Sequence, residues 1–526
     1  MSFADLSAVQ RCSLPKETFR WANLTCDLAR STSSCGTFVY LINYLTYFFC
    51  FYKLPHISIF GWISAFLLLV YFNLLYMLTK YFFMPNLITL IEFAPMTKFG
   101  FSFLFFGPSF FLSYFNSVWA MCDPRGDILS PMSFAKIMGD VMRNFVIGIM
   151  AISKQGYRSE GVTLWSCMTF ILVGMGYLHI VTKKSYHVHT ADPDLYLIKF
   201  RVMVFLYTFV MVLLVIYVVS HATFKRSLPK DNTKSYTFLD MDSGDEILGK
   251  YQKQRVFSKR QLWVKAVNGF QNMKDSHVVY RVLMLPFYFI VSNFFPVITK
   301  DRFLVGWNKY VCFLCLIVLP FLCLSNGFTA ASWAILLKTC WALSIVTFIT
   351  THPFRRPDNV CIFALLGIIV SSVSMNILSH EIENIAWQYI SLQFDVMPDI
   401  TALMYFGMGE IFSEAVIVRC LQGKKMFDAA FGVVMSMVTY PIFLAFPLLY
   451  YQGCYNPRCS IIVTASTDTG VQFIFLIVTM SLLHISMSGY EFRVSLFLYV
   501  STLTVIYVTI QWMIHFNWIL SHRHSL

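Results

Sequence analysis

Charge is scarce in this chain of 526 residues: 13% are Asp, Glu, Lys or Arg, against 57% hydrophobic. A soluble protein carries about 25% charged residues, so the shortage excludes a soluble globular protein. It points to a polytopic membrane protein. A Gly-rich phosphate loop, a nucleophile elbow and a zinc-protease helix are all missing, and nothing supports an enzyme or a bound cofactor. The first twenty residues contain no apolar core and include Asp5 and Glu17, which argues against a secretory signal and a mitochondrial presequence. The net charge of +13 sits mostly in short loops and one long hydrophilic segment. It therefore reads as membrane topology and not as nucleic-acid binding.

What the chain does have is span-length apolar sequence, with 53 Phe and 28 Tyr. Apolar runs lie near 58–79, 100–120, 132–152, 162–182 and 197–220, and again near 283–298, 308–325, 329–350, 360–379, 398–418, 427–450, 470–488 and 496–518. The expected organisation is an extracytoplasmic N-terminal segment (1–56), a first transmembrane half (57–221), a cytoplasmic-side polar loop (222–282), a second half (283–520) and a short tail (521–526). Lys154 and Arg158, the polar loop, Arg355 with Arg356, and Arg419 with Lys424 and Lys425 should all face the cytoplasm or its equivalent. Counting every run as a span puts Arg355 and Arg356 on the wrong side. Treating 283–298, which contains Pro286 and Pro296, as re-entrant or interfacial restores every loop and leaves about twelve crossings rather than thirteen.

Cys12, Cys26, Cys35 and Cys50 crowd the N-terminal segment, and Cys454 and Cys459 share a late loop. They are disulfide candidates on an oxidising face, with unpaired thiols the alternative. Asn23-Leu24-Thr25 is a glycosylation sequon on the same side. His380, Glu381 and Glu383 sit at a span end, where they form either an acidic outer vestibule or ordinary interface residues. His187 and His189 read as a solvated loop, and the acidic patch Asp240–Glu246 lacks the spacing of a Ca²⁺ loop.

The most informative residues are two acids inside an apolar run, Met408-Gly409-Glu410-Ile411-Phe412-Ser413-Glu414. On a helix Glu410 and Glu414 lie one turn apart on one face, with Ser413 beside them. Each ionised carboxylate costs roughly 2.5–3.5 kcal/mol at bilayer depth. Two such charges about 6 Å apart repel by a further ~3 kcal/mol at an effective dielectric near 20. Such a pair persists where a cation, a proton or a basic partner shares the site. The bland alternative is a structural pair neutralised by Arg419 or Lys424. Asp140 poses the same choice, because Arg143 one turn later can neutralise it.

Lys80-Tyr81-Phe82-Phe83-Met84-Pro85-Asn86-Leu87, followed by Phe101-Ser102-Phe103-Leu104-Phe105-Phe106-Gly107, resembles the approach to the first alpha repeat of the calcium/cation antiporters. There an "F-F-x-P-x-L" segment precedes a "T-F-L-A-F-G-N-G-x-P-D" helix. Ala402 to Arg419, with Met426-Phe427-Asp428-Ala429-Ala430-Phe431-Gly432 after it, resembles the second repeat, "G-N-S-x-G-D-x-F-S-D" then "M-A-x-x-A-x-F-G". The N-terminal cysteines, the long central loop, Leu285-Pro286 with Pro296-Val297, and Trp307 with Cys312 resemble the mitochondrial-type sodium/calcium exchanger branch.

The resemblance implies an all-α polytopic fold of two inverted repeats, and exchange of Ca²⁺ against Na⁺, or Li⁺ in some members. Gly409-Glu410 match the "G-D" of the second repeat, and Ser413 and Glu414 its "S-D". The first repeat departs: Gly107-Pro108-Ser109-Phe110-Phe111-Leu112-Ser113 puts Leu112 where the family has an acid and Pro108 where it has Asn. Ser109, Ser113 and Asn116 remain as oxygen ligands, and Asp140 as a displaced acid. The function expected is a cation antiporter with a degenerate first repeat, with Na⁺ or H⁺ as counter-ion. A non-transporting scaffold that keeps the fold is the alternative. The expected partners are the lipid bilayer and small cations, in the plasma membrane or an endomembrane, with the mitochondrial inner membrane as the alternative.

Overall fold

A computed structural model describes residues 41–52, 57–106, 126–188, 278–298, 308–323, 330–351, 360–391, 398–446 and 465–516, apart from 45, 95 and 155, and a few isolated positions. Cys12, Asn23, Cys26, Cys35, Ser109, Leu112, Ser113, Asn116, Cys454, Cys459 and the polar loop as far as 277 lie outside the described residues.

The described residues are almost all helical, as the apolar runs require. In chain order come α1 (Ile57–Met77), α2 (Met84–Phe93), α3 (Gly126–Ser153), β1 (Tyr157–Arg158), α4 (Gly161–Val188), α5 (Val278–Phe294), α6 (Lys309–Cys323), α7 (Ala330–Thr350) and α8 (Val360–Ala386). They are followed by α9 (Pro398–Tyr405), α10 (Met408–Gly423), α11 (Phe427–Tyr440), α12 (Ala465–Met487), β2 (Glu491–Phe492) and α13 (Val494–His515). Eight helical stretches among the described residues are long and apolar enough to cross a membrane. The chain is an all-α polytopic membrane protein. Its outward faces carry Trp62, Phe66 and Leu69 on α1 and Ile335, Ile345 and Ile349 on α7, all exposed, as a lipid-facing surface demands.

α3 is as long as the spans, but its middle carries Lys136, Asp140 and Arg143. These charges are tolerated because the helix is wrapped by α9, α10, α11, α12 and α13. Ala135, Ile137, Met138, Val141, Phe145 and Ile149 are all fully buried.

Two further features set the frame of the site. The chain after α5 runs through Phe295–Ile298 without helical structure, buried at Phe295 and Ile298. Backbone there must find partners, and Asn86 of α2 supplies them. Its amide nitrogen donates to Pro296 O (2.9 Å) and its amide oxygen accepts from Ile298 N (2.8 Å). Thr89 donates to Ile298 O (2.8 Å). Asn86→Leu should therefore strand two buried backbone groups at about 1–3 kcal/mol each. Thermal unfolding of the detergent-solubilised variant should show a lower midpoint, and an unchanged midpoint would refute the clamp.

The second feature concerns sidedness. Tyr157 stacks on Phe427 (6.0 Å between centroids), contacts Phe492 (5.7 Å) and donates to Asp428 (2.8 Å). β1 and β2 pair antiparallel, with Arg158 opposite Glu491. The chain around 157–158, 427–428 and 491–492 thus meets at one place. At another place the chain at 41–44 hooks onto α8: Glu381 accepts from Leu41 N (2.8 Å) and Tyr44 (2.6 Å), and Asn384 donates to Ile42 O (2.8 Å).

Candidate cation site

The run that carries the two glutamates is not one helix. α9 stops at Tyr405 and α10 starts at Met408, with Gly407 between them in the left-handed region (φ 77°). A break of this kind exposes carbonyls at the end of one half-helix and N–H groups at the start of the next. Both ends are met by side chains from neighbouring helices. Arg143 of α3 donates to Leu403 O (2.8 Å) and to Phe406 O, so a guanidinium sits at the negative end of α9. Glu383 of α8 accepts from Gly407 N (2.8 Å), so a carboxylate sits at the positive end of α10. Each charge complements a half-helix dipole.

Gly407 is required twice over. A Cβ there would lie 2.0 Å from Asp140 Oδ1, and the positive φ alone costs a non-Gly residue about 1–3 kcal/mol. Gly407→Ala is expected to destabilise the protein and abolish cation transport. Gly423→Ala, at the far end of α10 with nothing within 4 Å, should do neither; equal behaviour of the two in a thermal-shift and flux comparison would refute this role.

Around the break lie four buried acids. Asp140 is held by Arg143 Nη2 (2.9 Å). Glu383 is held by Lys136 Nζ (2.8 Å to Oε1, 3.0 Å to Oε2), and His380 Nδ1 lies 3.3 Å from Oε2. Glu410, in the first turn of α10, interacts electrostatically with Lys136, Asp140 and Glu414. Glu414 is 6% exposed, and its Oε2 is buried without a hydrogen-bond partner. It interacts with Glu410, Asp140 and, attractively, Arg143.

Ser413 is buried and donates to Gly409 O (3.1 Å), which leaves its oxygen able to accept or to ligate. Gly409 packs directly on Ser379 of α8. Chemically this is a set of hard oxygen ligands from α3, α8 and α10 gathered beside a helix break, suited to a hard cation. Two protein cations are built into it.

The structure brings Gly409, Glu410, Ser413, Glu414 and Asp140 together. It argues against two of the alternatives. Arg419 is exposed and Glu414 faces Arg143 instead, so the charge that offsets the acids comes from another helix. Glu381 and Glu383 form no open vestibule: both are buried, one latched to the 41–44 segment and the other to Lys136. Lys136 is the residue that sequence reasoning missed. The signal was available, since Lys136, Asp140 and Arg143 are spaced i, i+4, i+7 on one helix face, and an ionisable residue inside a span marks function by default. Cys50 is disulfide-bonded.

A protein named mitochondrial sodium/calcium exchanger from Mus musculus is 22% identical over 527 residues, covering 93% of this chain and 88% of that protein. The chain is a divergent relative of the mitochondrial-type sodium/calcium exchanger branch. The proteins of the same name from Gallus gallus and Homo sapiens are each 24% identical, over 30% and 39% of this chain. Those matches span only 29% and 37% of the two proteins' own length. No family profile matches the chain, and no solved structure does. The branch's relatives are named as exchangers, which are transporters and not enzymes.

Proposed function

We propose that the protein is a membrane cation antiporter of the sodium/calcium exchange type, with Ca²⁺ and Na⁺ (or Li⁺ or H⁺) as substrates. The observation that carries this reading is Glu414. A carboxylate oxygen buried without a partner, one helical turn from Glu410 and beside a broken helix, is where a desolvated cation gains most.

In this reading Glu410 is the principal ligand, Glu414 and Ser413 assist, and the Gly409 backbone lets α10 approach α8. Asp140 shapes the field through Arg143. Ser109, Ser113 and Asn116 would supply the first repeat's oxygen ligands in place of the acid absent at Leu112. The contact of Tyr157 with Phe427 and Asp428 puts their two loops on one side, which is compatible with two halves of opposed orientation, the geometry that alternating access needs. Cys50 in a disulfide supports an N-terminal segment on an oxidising face, with Cys12, Cys26, Cys35, Cys454 and Cys459 as further candidates and Asn23 as a glycan acceptor. That favours the plasma membrane or an endomembrane. The relatives' name carries the alternative, mitochondrial.

The second reading, a scaffold that no longer transports, is favoured by Lys136 and Arg143, which occupy acids and carbonyls that a substrate would otherwise use. Purified protein in vesicles decides between the two. An outward Na⁺ gradient should drive Ca²⁺ uptake across the membrane, and vesicles that move neither ion would select the scaffold.

A further inference from the structure

We infer that Lys136 is a resident cation of the exchange site, a tethered ammonium that stands in for one monovalent ion and so sets how many ions the site takes per cycle. The inference rests on the antiporter reading but is tested separately from it.

The charge inventory comes first. Asp140, Glu383, Glu410 and Glu414 bring four negative charges when ionised, and Lys136 and Arg143 offset two of them. Arg143 is a fixed part of the frame, because its planar fork is committed to Leu403 O and Phe406 O as well as to Asp140. Lys136 is different. Its ammonium lies across the Glu383 carboxylate, 2.8 and 3.0 Å from the two oxygens, and interacts electrostatically with Glu410 and Asp140.

A lysine head is a compact, hydratable point charge on a flexible stem, the nearest thing a side chain offers to a bound monovalent cation. Its partner Glu383 in turn accepts from Gly407 N at the helix break, so the ammonium sits one bond from the hinge of the half-helices. With Lys136 present, the remaining charge of two matches one divalent cation or two monovalent ones. Without it, the site would be short of one positive charge.

Three chains test this: wild type, Lys136→Gln, and Lys136→Gln/Glu383→Gln. In Lys136→Gln a free monovalent ion should take the ammonium's place. Its thermal midpoint should rise by roughly 5 °C when choline is exchanged for Na⁺ or Li⁺ at constant ionic strength, and the wild type should not respond to that extent. In vesicles the Hill coefficient for Na⁺ should increase by about one. The double variant loses one charge of each sign, so both effects should vanish.

A Lys136→Gln protein that is no better folded in Na⁺ or Li⁺ than in choline overturns the inference, whether it folds well or badly. A Na⁺ response in the double variant as large as that of Lys136→Gln overturns it too. Vesicles in which the wild type carries no cation would instead remove the antiporter reading, and the stability comparison would still decide the role of Lys136.

Discussion

Glu410→Gln is expected to abolish Ca²⁺ and Na⁺ flux in reconstituted vesicles while leaving the protein folded. The change keeps the shape of the side chain and removes one ligand charge. A net loss of even about 4 kcal/mol of cation binding lowers affinity roughly 1,000-fold, and a carboxylate at contact distance in a site of low polarity contributes at least that order. Folding should survive because the ion pairs that hold the site together run through Lys136–Glu383 and Arg143–Asp140. Replacing Glu410 also relieves its repulsion with Glu414 and Asp140. Glu410→Asp, which restores the charge on a shorter arm, should recover part of the flux. If Glu410→Gln transports like the wild type, the site assignment is wrong and the glutamate pair is structural.

Arg143→Met should be the most damaging single change to the fold. It leaves Asp140 without its ion-pair partner in a position only 2% exposed and strips two carbonyls at the end of α9 of their donor. Breaking a buried pair costs about 3–5 kcal/mol, and each stranded carbonyl about 1–3 kcal/mol more. Against a typical net stability of roughly 5–15 kcal/mol, that is enough to unfold the chain. Size-exclusion profiles of solubilised Arg143→Met should show aggregate in place of a monodisperse peak. Arg143→Lys should rescue poorly, because one ammonium cannot reach two carbonyls and a carboxylate as a planar fork does. Removing both charges in Arg143→Met/Asp140→Leu should recover part of the loss. A well-folded Arg143→Met would mean that the half-helix break is held by something else.

The membrane class and the oddity of Glu410 and Glu414 are legible in the sequence because both follow from local composition. A span-length apolar run needs no partner to be recognised, and an acid inside one is conspicuous at once. The i, i+4 spacing that puts the two carboxylates on one face is likewise a property of the helix alone. The choice for Asp140 between a cation ligand and an ion pair with Arg143 was already framed by their i, i+3 spacing.

Other facts depend on contacts made across hundreds of residues. Lys136 meets Glu383 across 247 positions, and Arg143 meets Leu403 and Phe406 across 260 and 263. No periodicity in either segment encodes those partners. Nor does the sequence announce that the glutamate run is two half-helices. Gly407 reads as an ordinary glycine until Asp140 is seen to occupy the space its Cβ would need. By itself the sequence determined that acids fall inside span-length apolar runs, since hydropathy is additive along the chain. Which cations answer them, and that two are the protein's own, was decided only by the tertiary structure, because electrostatic pairing depends on distance in space.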